Sequence, residues 1–351
     1  MATLKFVSTT YTVLHLILLV LLLVVLIWRL RSWANRDRRI KSRNTDQLYW
    51  IRGMKFFLIL ALFLCAIALP VNLFIVSPFA SLVPSWVLLA ISLTVLLLAI
   101  TEVLLFSSYS KKLLNSKSQR FLLMLSTILV GLPGLVLLSN IPAVYSYPEK
   151  HRSLIVDMPV KGTWSAGHAG GTTTVNYHCA YASQKYAMDI VKVDEGGRFF
   201  SGDGTQIEDF FTLGEPIYAP VSGTVVQVQD SLPNEAVSFE PNNPSNPAGN
   251  HVVIRMEEGV YVFLAHMMPG SIVVKVGDRV KSGDMLGKAG NSGNTSWPHL
   301  HMHIQNSGDL NAPGSQGLPY RFSTINRKRI MFWHKAEDAY LVRNDLFSDV
   351  Q

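Results

Sequence analysis

Apolar positions along the chain have two textures. Before residue 140 they form long runs of Leu, Ile and Val; from about Ser146 onward they form short runs rich in Val, Ile, Thr and Tyr, cut by Gly, Pro, Asn and Asp. A bilayer core takes about 20 apolar residues of helix. Four runs come close to that length between polar or charged flanks: Tyr11–Trp28, Phe56–Ser77, Trp86–Phe106 and Phe121–Leu138. They predict a membrane region over 1–138 with four transmembrane helices. Gly131, Pro133 and Gly134 fall in the last, where a membrane helix tolerates them. Glu102 lies in the third, near enough to its end to reach the interface or Lys111.

The second half predicts a mostly antiparallel β domain over 158–322, joined by a linker at 139–157. Ile217–Val228, His251–Met256, Val260–His266, Ser271–Val276 and His299–Gln305 read as strands. No helical pattern between 160 and 320 is long enough to compete. Asp230–Asn250, with its prolines and asparagines, reads as an excursion loop. Gly277-Asp278 and Gly283-Asp284 suit tight turns, and with Ala219–Val225 they suggest a turn-rich sandwich or barrel. Lipoyl and biotinyl carrier domains share this part of the pattern. The extension 323–351, which carries Arg327-Lys328-Arg329, reads as a capping strand and helix.

Charge separates the halves further. The net charge is +7, but residues 1–120 hold 14 of the 31 Lys/Arg and only 3 of the 24 Asp/Glu. The basic excess therefore belongs to loops between apolar runs, not to a nucleic-acid surface. Arg29, Arg31, Arg36, Arg38, Arg39, Lys41 and Arg43 follow the first run, and Lys111, Lys112, Lys117 and Arg120 follow the third; Pro78–Ser85 holds none. The positive-inside rule puts both basic loops in the cytoplasm. The N-terminus and the whole second half then lie outside it, as in a multi-pass protein of the cytoplasmic membrane. Only Lys5 precedes the first run and no small-residue cleavage site follows, so it reads as a retained span. Cys65 and Cys179 lie in different halves, which predicts no disulfide and excludes a cysteine-rich zinc site.

Trp297-Pro298-His299-Leu300-His301-Met302-His303 carries the strongest chemical signal. On a strand, alternate side chains share a face, so the three histidines would stand roughly 6.5–7 Å apart on one side of a sheet. Three in alternation beside a Gly/Asn/Ser/Pro loop point to metal or acid–base chemistry. A catalytic zinc site takes three protein ligands. Asn176-Tyr177-His178 and Gln184–Ile190 offer a His and an Asp. Asp189 stands between apolar residues, where a carboxylate is costly unless paired or metal-bound. His266 ends the strand Val260–His266 and could reach the same face.

His178 with Asp189, then Ala265-His266, then Pro298-His299-Leu300-His301, together with the Gly277–Val280 and Gly290–Gly293 turns, resemble the motifs of lysostaphin-type (LytM-like) zinc metallopeptidases. The resemblance covers roughly Met158–Phe322. It implies a duplicated-hybrid-motif-like β sandwich and hydrolysis of peptidoglycan peptides. It implies that His178, Asp189 and His301 hold Zn2+, and that His266 and His299 act beside the metal on the water and the developing oxyanion. The family usually places its first histidine four residues before the aspartate, where Lys185 stands here. His178, eleven residues ahead, fits a subgroup with His well before a Gln-x-Tyr-Ala-x-Asp stretch; His168 is the rival ligand. His303 takes a position that is often a carboxylate in the family, as a partner of the ligands or as a neighbouring polar residue. His151, His251 and His334 read as structural or surface residues, and Cys179 as a small buried hydrophobe.

Two further readings stand beside this one. A relative lacking its first ligand would be a catalytically inactive module that binds cell wall or regulates a hydrolase. A carrier domain would need a lysine presented on a hairpin after a Gly-Asp turn, where this chain has Gly287-Lys288-Ala289 without flanking methionines. The implied partners are peptidoglycan peptide, the lipid bilayer and a membrane or cell-wall regulatory protein, with no nucleic acid.

Overall fold

Helices form over the long apolar runs and extend past them. The computed structural model describes residues 3–34, 47–109, 117–240, 243–310 and 312–350. Helix α1 covers Leu4–Ala34, α2 Gln47–Val71, α3 Ser85–Tyr109 and α4 Lys117–Tyr145. Three stretches among the described residues are long and apolar enough to cross a bilayer: Leu4–Trp28, Phe56–Val76 and Ser85–Glu102. The fourth helix contributes a shorter apolar stretch, Gly134–Tyr145. Arg36, Arg38, Arg39, Lys41, Arg43, Lys111 and Lys112, whose charges predict the orientation, lie outside the described residues.

The chain divides into two compact units, Thr9–Pro142 and Ala143–Gln351 together with Met1–Ser8. In the helical unit, Val87, Leu88 and Ile91 of α3 pack with Leu19 of α1 and with Leu69 of α2. Most of α1 remains bare: Leu14, Ile17, Leu21 and Val24 are all exposed, an apolar surface that water does not favour. Pro70 removes one backbone donor near the end of α2, and a π turn at Asn72–Val76 follows. Asn72 ties this irregular end down. Its amide donates to Ala68 O and Leu137 O, both at 2.9 Å, and its carbonyl accepts from Asn140 at 2.6 Å. Such amide contacts tie neighbouring apolar helices together.

In the second unit the strands are β1 (Leu154–Val156), β2 (Thr163–His168), β3 (Met188–Lys192), β4 (Pro216–Tyr218), β5 (Gly223–Gln229), β6 (Asn250–Glu257), β7 (Val260–Met267), β8 (Arg279–Val280), β9 (Met285–Lys288), β10 (Leu300–Gln305), β11 (Tyr320–Lys328), β12 (Trp333–Ala339) and β13 (Leu346–Ser348). One sheet runs β1-β11-β13-β2-β3-β10-β7-β6-β5-β8, β12 adds to β11, and β4 pairs β9 separately. The pairings are antiparallel apart from β1 with β11.

Alternation decides what each strand buries. Leu300, Met302 and Ile304 of β10 enter the core with Trp164, Ile190, Ile254, Leu264, Phe322 and Phe347. Burying each such side chain is worth roughly 1.5–3 kcal/mol. A slip of one residue would put His301 and His303 into that core, so the register is strongly held.

Three sequence expectations change. Ile217–Val228 is two strands, because Pro220 has no N–H and Ala219–Ser222 turn between them. Ser271–Val276 forms no strand: Val273 N bonds Leu286 O, but no ladder follows, and Val273 and Val276 are exposed. After residue 323 the structure has strands where a helix was expected: β11 runs across position 322, and β13 joins β2. Phe347 is fully buried there, so this segment belongs to the same core.

Candidate metal centre

Four neighbouring strands assemble the centre through their register. His168 on β2 stands opposite Asp189 on β3, Asp189 opposite His301 on β10, and His301 opposite Ala265 on β7. Directly opposed side chains in an antiparallel pair lie about 5 Å apart, so the sheet brings together residues 112 positions apart in the chain. His301 Nδ1 is 2.8 Å from Asp189 Oδ1. His299, just before β10, places Nε2 3.7 Å from the same oxygen.

His178 arrives from a single 3-10 turn, Tyr177–Ala180. Asn176 sets its ring. The Asn176 amide donates to Gly170 O at 3.0 Å and Ala187 O at 2.8 Å, which leaves its carbonyl oxygen toward His178. That oxygen accepts from the backbone N of His178 and from its Nδ1 at 2.9 Å. The proton of the neutral ring is thereby assigned to Nδ1, and Nε2 keeps its lone pair. It faces Asp189 Oδ2 at 3.5 Å. Ligand atoms of His178, Asp189 and His301 all lie within 4.8 Å of one another.

The other imidazoles are aimed by the same logic. His266 Nδ1 donates to Ser292 O at 2.9 Å and His299 Nδ1 to Trp297 O at 2.8 Å. Each neutral ring then keeps its lone pair on Nε2, and the two rings lie 4.6 Å apart. His266 has φ of 63°, in the left-handed region, a conformation that clusters at functional sites. It is held by bonds from its N to Ala248 O and from Gly290 N to its O, each 3.0 Å. Its partner carbonyl depends on a close backbone approach. A Cβ on Gly249 would stand 2.2 Å from Ser292 O.

Sequence left His178 and His168 as rivals, and the two rings have different partners. Arg343 Nη2 donates to His168 Nδ1 at 2.9 Å. The proton of His168 must then sit on Nε2, so neither nitrogen offers a free lone pair. His168 packs edge-on against Tyr177, whose hydroxyl points to Asp189 Oδ2 at 3.4 Å. Asn176, Tyr177 and Arg343 were not singled out by sequence, and no spacing marks them. His303 lies beside the centre, its Nδ1 3.0 Å from His301 Nε2 and its ring stacked on Phe263. Its buried Nε2 has no partner among the described residues. Cys179 turns away: its thiol points to Lys185 O at 3.0 Å, and burial raises its pKa to about 11. His151, His251 and His334 all have partners away from the cluster. A cleft of about 250 Å³ opens onto the histidines, walled by Tyr177, Tyr181, Pro247, Ala248 and Leu310.

Burial favours the neutral form of four imidazoles in and around the centre. It lowers the pKa of His178 to about 3 and of His168 to about 4, and it lowers His266 and His303 as well. Burial alone would raise Asp189, but the surrounding His178, His299 and His301 hold its carboxyl well below the usual range. A free histidine titrates near 6.5. Between that value and the depressed native one, the unfolded chain binds protons that the native state refuses. Stability is therefore full above about pH 6.5 and falls with pH below it, by about 1.4 kcal/mol per pH unit for each such histidine. Scanning calorimetry of the metal-free protein should show the melting temperature dropping from about pH 6.5 toward pH 5. A flat profile there would contradict neutral buried imidazoles.

A family model for peptidase family M23 matches residues 201–313. Residues 201–313 are an M23 peptidase domain. The match contains His266, His299, His301 and His303, whereas His178 and Asp189 lie upstream of it. The chain is 25% identical over 146 residues to glycyl-glycine endopeptidase ALE-1 of Staphylococcus capitis, covering 41% of this chain and 34% of that protein. Against the catalytic domain of lysostaphin from Staphylococcus simulans, identity is 29%, coverage is 28% of this chain and 65% of the other, and the TM-score is 0.22. The chain thus spans about a third of ALE-1 and just under two thirds of the lysostaphin chain. It is also 32% identical over 109 residues to a glycine cleavage system H protein of Escherichia coli, 30% of this chain and 74% of that one. The carrier reading needs a lysine at a hairpin tip. Lys288 instead sits within β9, paired with Pro216. The buried histidine cluster of the M23 domain also has no place in that reading.

Proposed function

We propose that the chain is a membrane-anchored, zinc-dependent endopeptidase acting on peptide bonds of cell-wall peptidoglycan. The observation that carries the metal assignment is the 3.5 Å approach of His178 Nε2 to Asp189 Oδ2. Asn176 leaves that nitrogen unprotonated, so two electron-pair donors face each other in a buried site. A cation between them, shared with His301, resolves the arrangement. His178, Asp189 and His301 are the zinc ligands. Two imidazoles and one carboxylate are a donor set that would suit zinc. When bound, zinc supplies Lewis acidity that lowers the pKa of a water and polarises a carbonyl.

The protein's own groups complete the chemistry. His266, which lines the cleft, and His299, whose Nε2 lies 3.7 Å from Asp189 Oδ1, flank the centre. One accepts the proton of the attacking water and passes it to the leaving amine; the other, protonated from solvent, hydrogen-bonds the carbonyl oxygen as it gains charge. His303 steadies His301 from behind, as partners of metal-ligating histidines do. The cleft walls bring in an extended peptide and limit bulk water.

The four apolar runs anchor this domain, and the basic loops between them set its extracytoplasmic side. Purified full-length chain in detergent, incubated with peptidoglycan, should release new amino groups. A zinc chelator should stop the release and added zinc restore it. Release that persists in metal-free protein would refute the zinc mechanism; no release by folded, zinc-loaded protein would refute the substrate.

A further inference from the structure

The basic run Arg327-Lys328-Arg329 takes no part in the centre, yet it leads into an exposed apolar group at a hairpin tip. Lys328 pairs with Trp333 at the end of the β11–β12 hairpin, and residues 329–332 form its tip. Met331 is 43% exposed, Phe332 76% and Trp333 47%. This is not a carelessly apolar edge. The free strand β12 carries His334, Lys335, Glu337 and Asp338, the charged pattern that keeps a sheet edge from pairing with another chain. The hairpin's outermost residues, Ile330–Trp333, are apolar, and polar contacts hold its base. Arg329 makes a bidentate pair with Asp345, with Nη2 to Oδ2 at 2.8 Å, and Arg327 donates to Tyr340 O at 2.7 Å. Lys328 and Lys335, flanking the tip, have no ion pair among the described residues.

We propose that this hairpin tip is a membrane-contact element: Phe332, with Met331 and Trp333 beside it, enters the interfacial layer of a bilayer containing anionic lipid, and Lys328 and Lys335 meet the headgroups. The tip projects from the hairpin, so it suits a soft surface. Tryptophan favours the bilayer–water boundary, and phenylalanine serves on the apolar face of interfacial elements. Lysine stems can lie along apolar surface while their ammonium groups stay with the phosphates. No acidic residue interrupts 327–335. The proposal does not depend on the peptidase reading.

Collision measurements on a nitroxide test it. The full chain, with Cys65→Ala and Cys179→Ala, carries the label at Phe332→Cys or, as a control, at the exposed turn position Glu258→Cys. It is reconstituted in phosphatidylcholine nanodiscs with or without phosphatidylglycerol. At position 332, phosphatidylglycerol should raise collisions with oxygen and lower those with a water-soluble nickel chelate, each severalfold, while the control stays unchanged. Nickel access equal to the control in both discs overturns the proposal. Shielding from both reagents also overturns it, because the tip is then packed on protein, whether a second copy or another partner. If the chain does not enter discs, the same readout is taken with vesicles of the same lipids, which separates this result from failure of the helical anchor.

Discussion

Asp189→Ala should empty the centre of zinc and lower amino-group release by ~1000-fold or more, equivalent to about 4 kcal/mol of transition-state stabilisation. The reason is charge as well as ligand number. Asp189 carries the only carboxylate of the cluster and faces His301, His178 and His299 at 2.8, 3.5 and 3.7 Å. Neutral imidazoles alone leave a divalent cation uncompensated in a buried site. Asp189→Asn keeps the shape and removes the charge, so it should lose zinc nearly as fully. Metal content of the purified variants, read by atomic absorption beside the activity, makes the check. An Asp189→Ala protein that retains one zinc per chain would sink the ligand set.

The second large effect belongs to His266. His266→Asn should retain zinc while kcat falls by roughly 100- to 10,000-fold, the usual contribution of a positioned acid or base. KM should change little, since the lost interaction is made chiefly in the transition state. Asparagine is the apt replacement because it tolerates the left-handed conformation that His266 adopts at φ 63°. Its amide can also donate to Ser292 O, leaving the lost Nε2 as the main change. Zinc lost together with activity would make His266 a ligand. Full activity would make it a bystander.

These variants test a centre of which about half was legible in the sequence. The alternation in His299–His303 announces a strand with histidines on one face, because the side-chain period of a strand is two. Asp189 between Ala187-Met188 and Ile190-Val191 announces a carboxylate that needs a partner. Family resemblance joined these to His178 and His266. What failed was local as well as distant. Ser271–Val276 has the composition of a strand, but composition does not supply a neighbour with which to pair. The end of the chain was read as a strand and helix, yet it supplies β12 and β13 to the sheet and Arg343 to the surroundings of the centre.

By itself, then, the sequence determined the division into apolar helices and a turn-rich sheet, and the kinds of side chain that gather at the centre, because both are written in periodicity and residue type. Only the tertiary structure decided which histidine faces Asp189. That choice rests on Asn176 holding the Nδ1 proton of His178 and on Arg343 occupying Nδ1 of His168. A tautomer follows from the partner across the gap, and Arg343 stands 175 residues from His168 in the chain, so no local spacing encodes it.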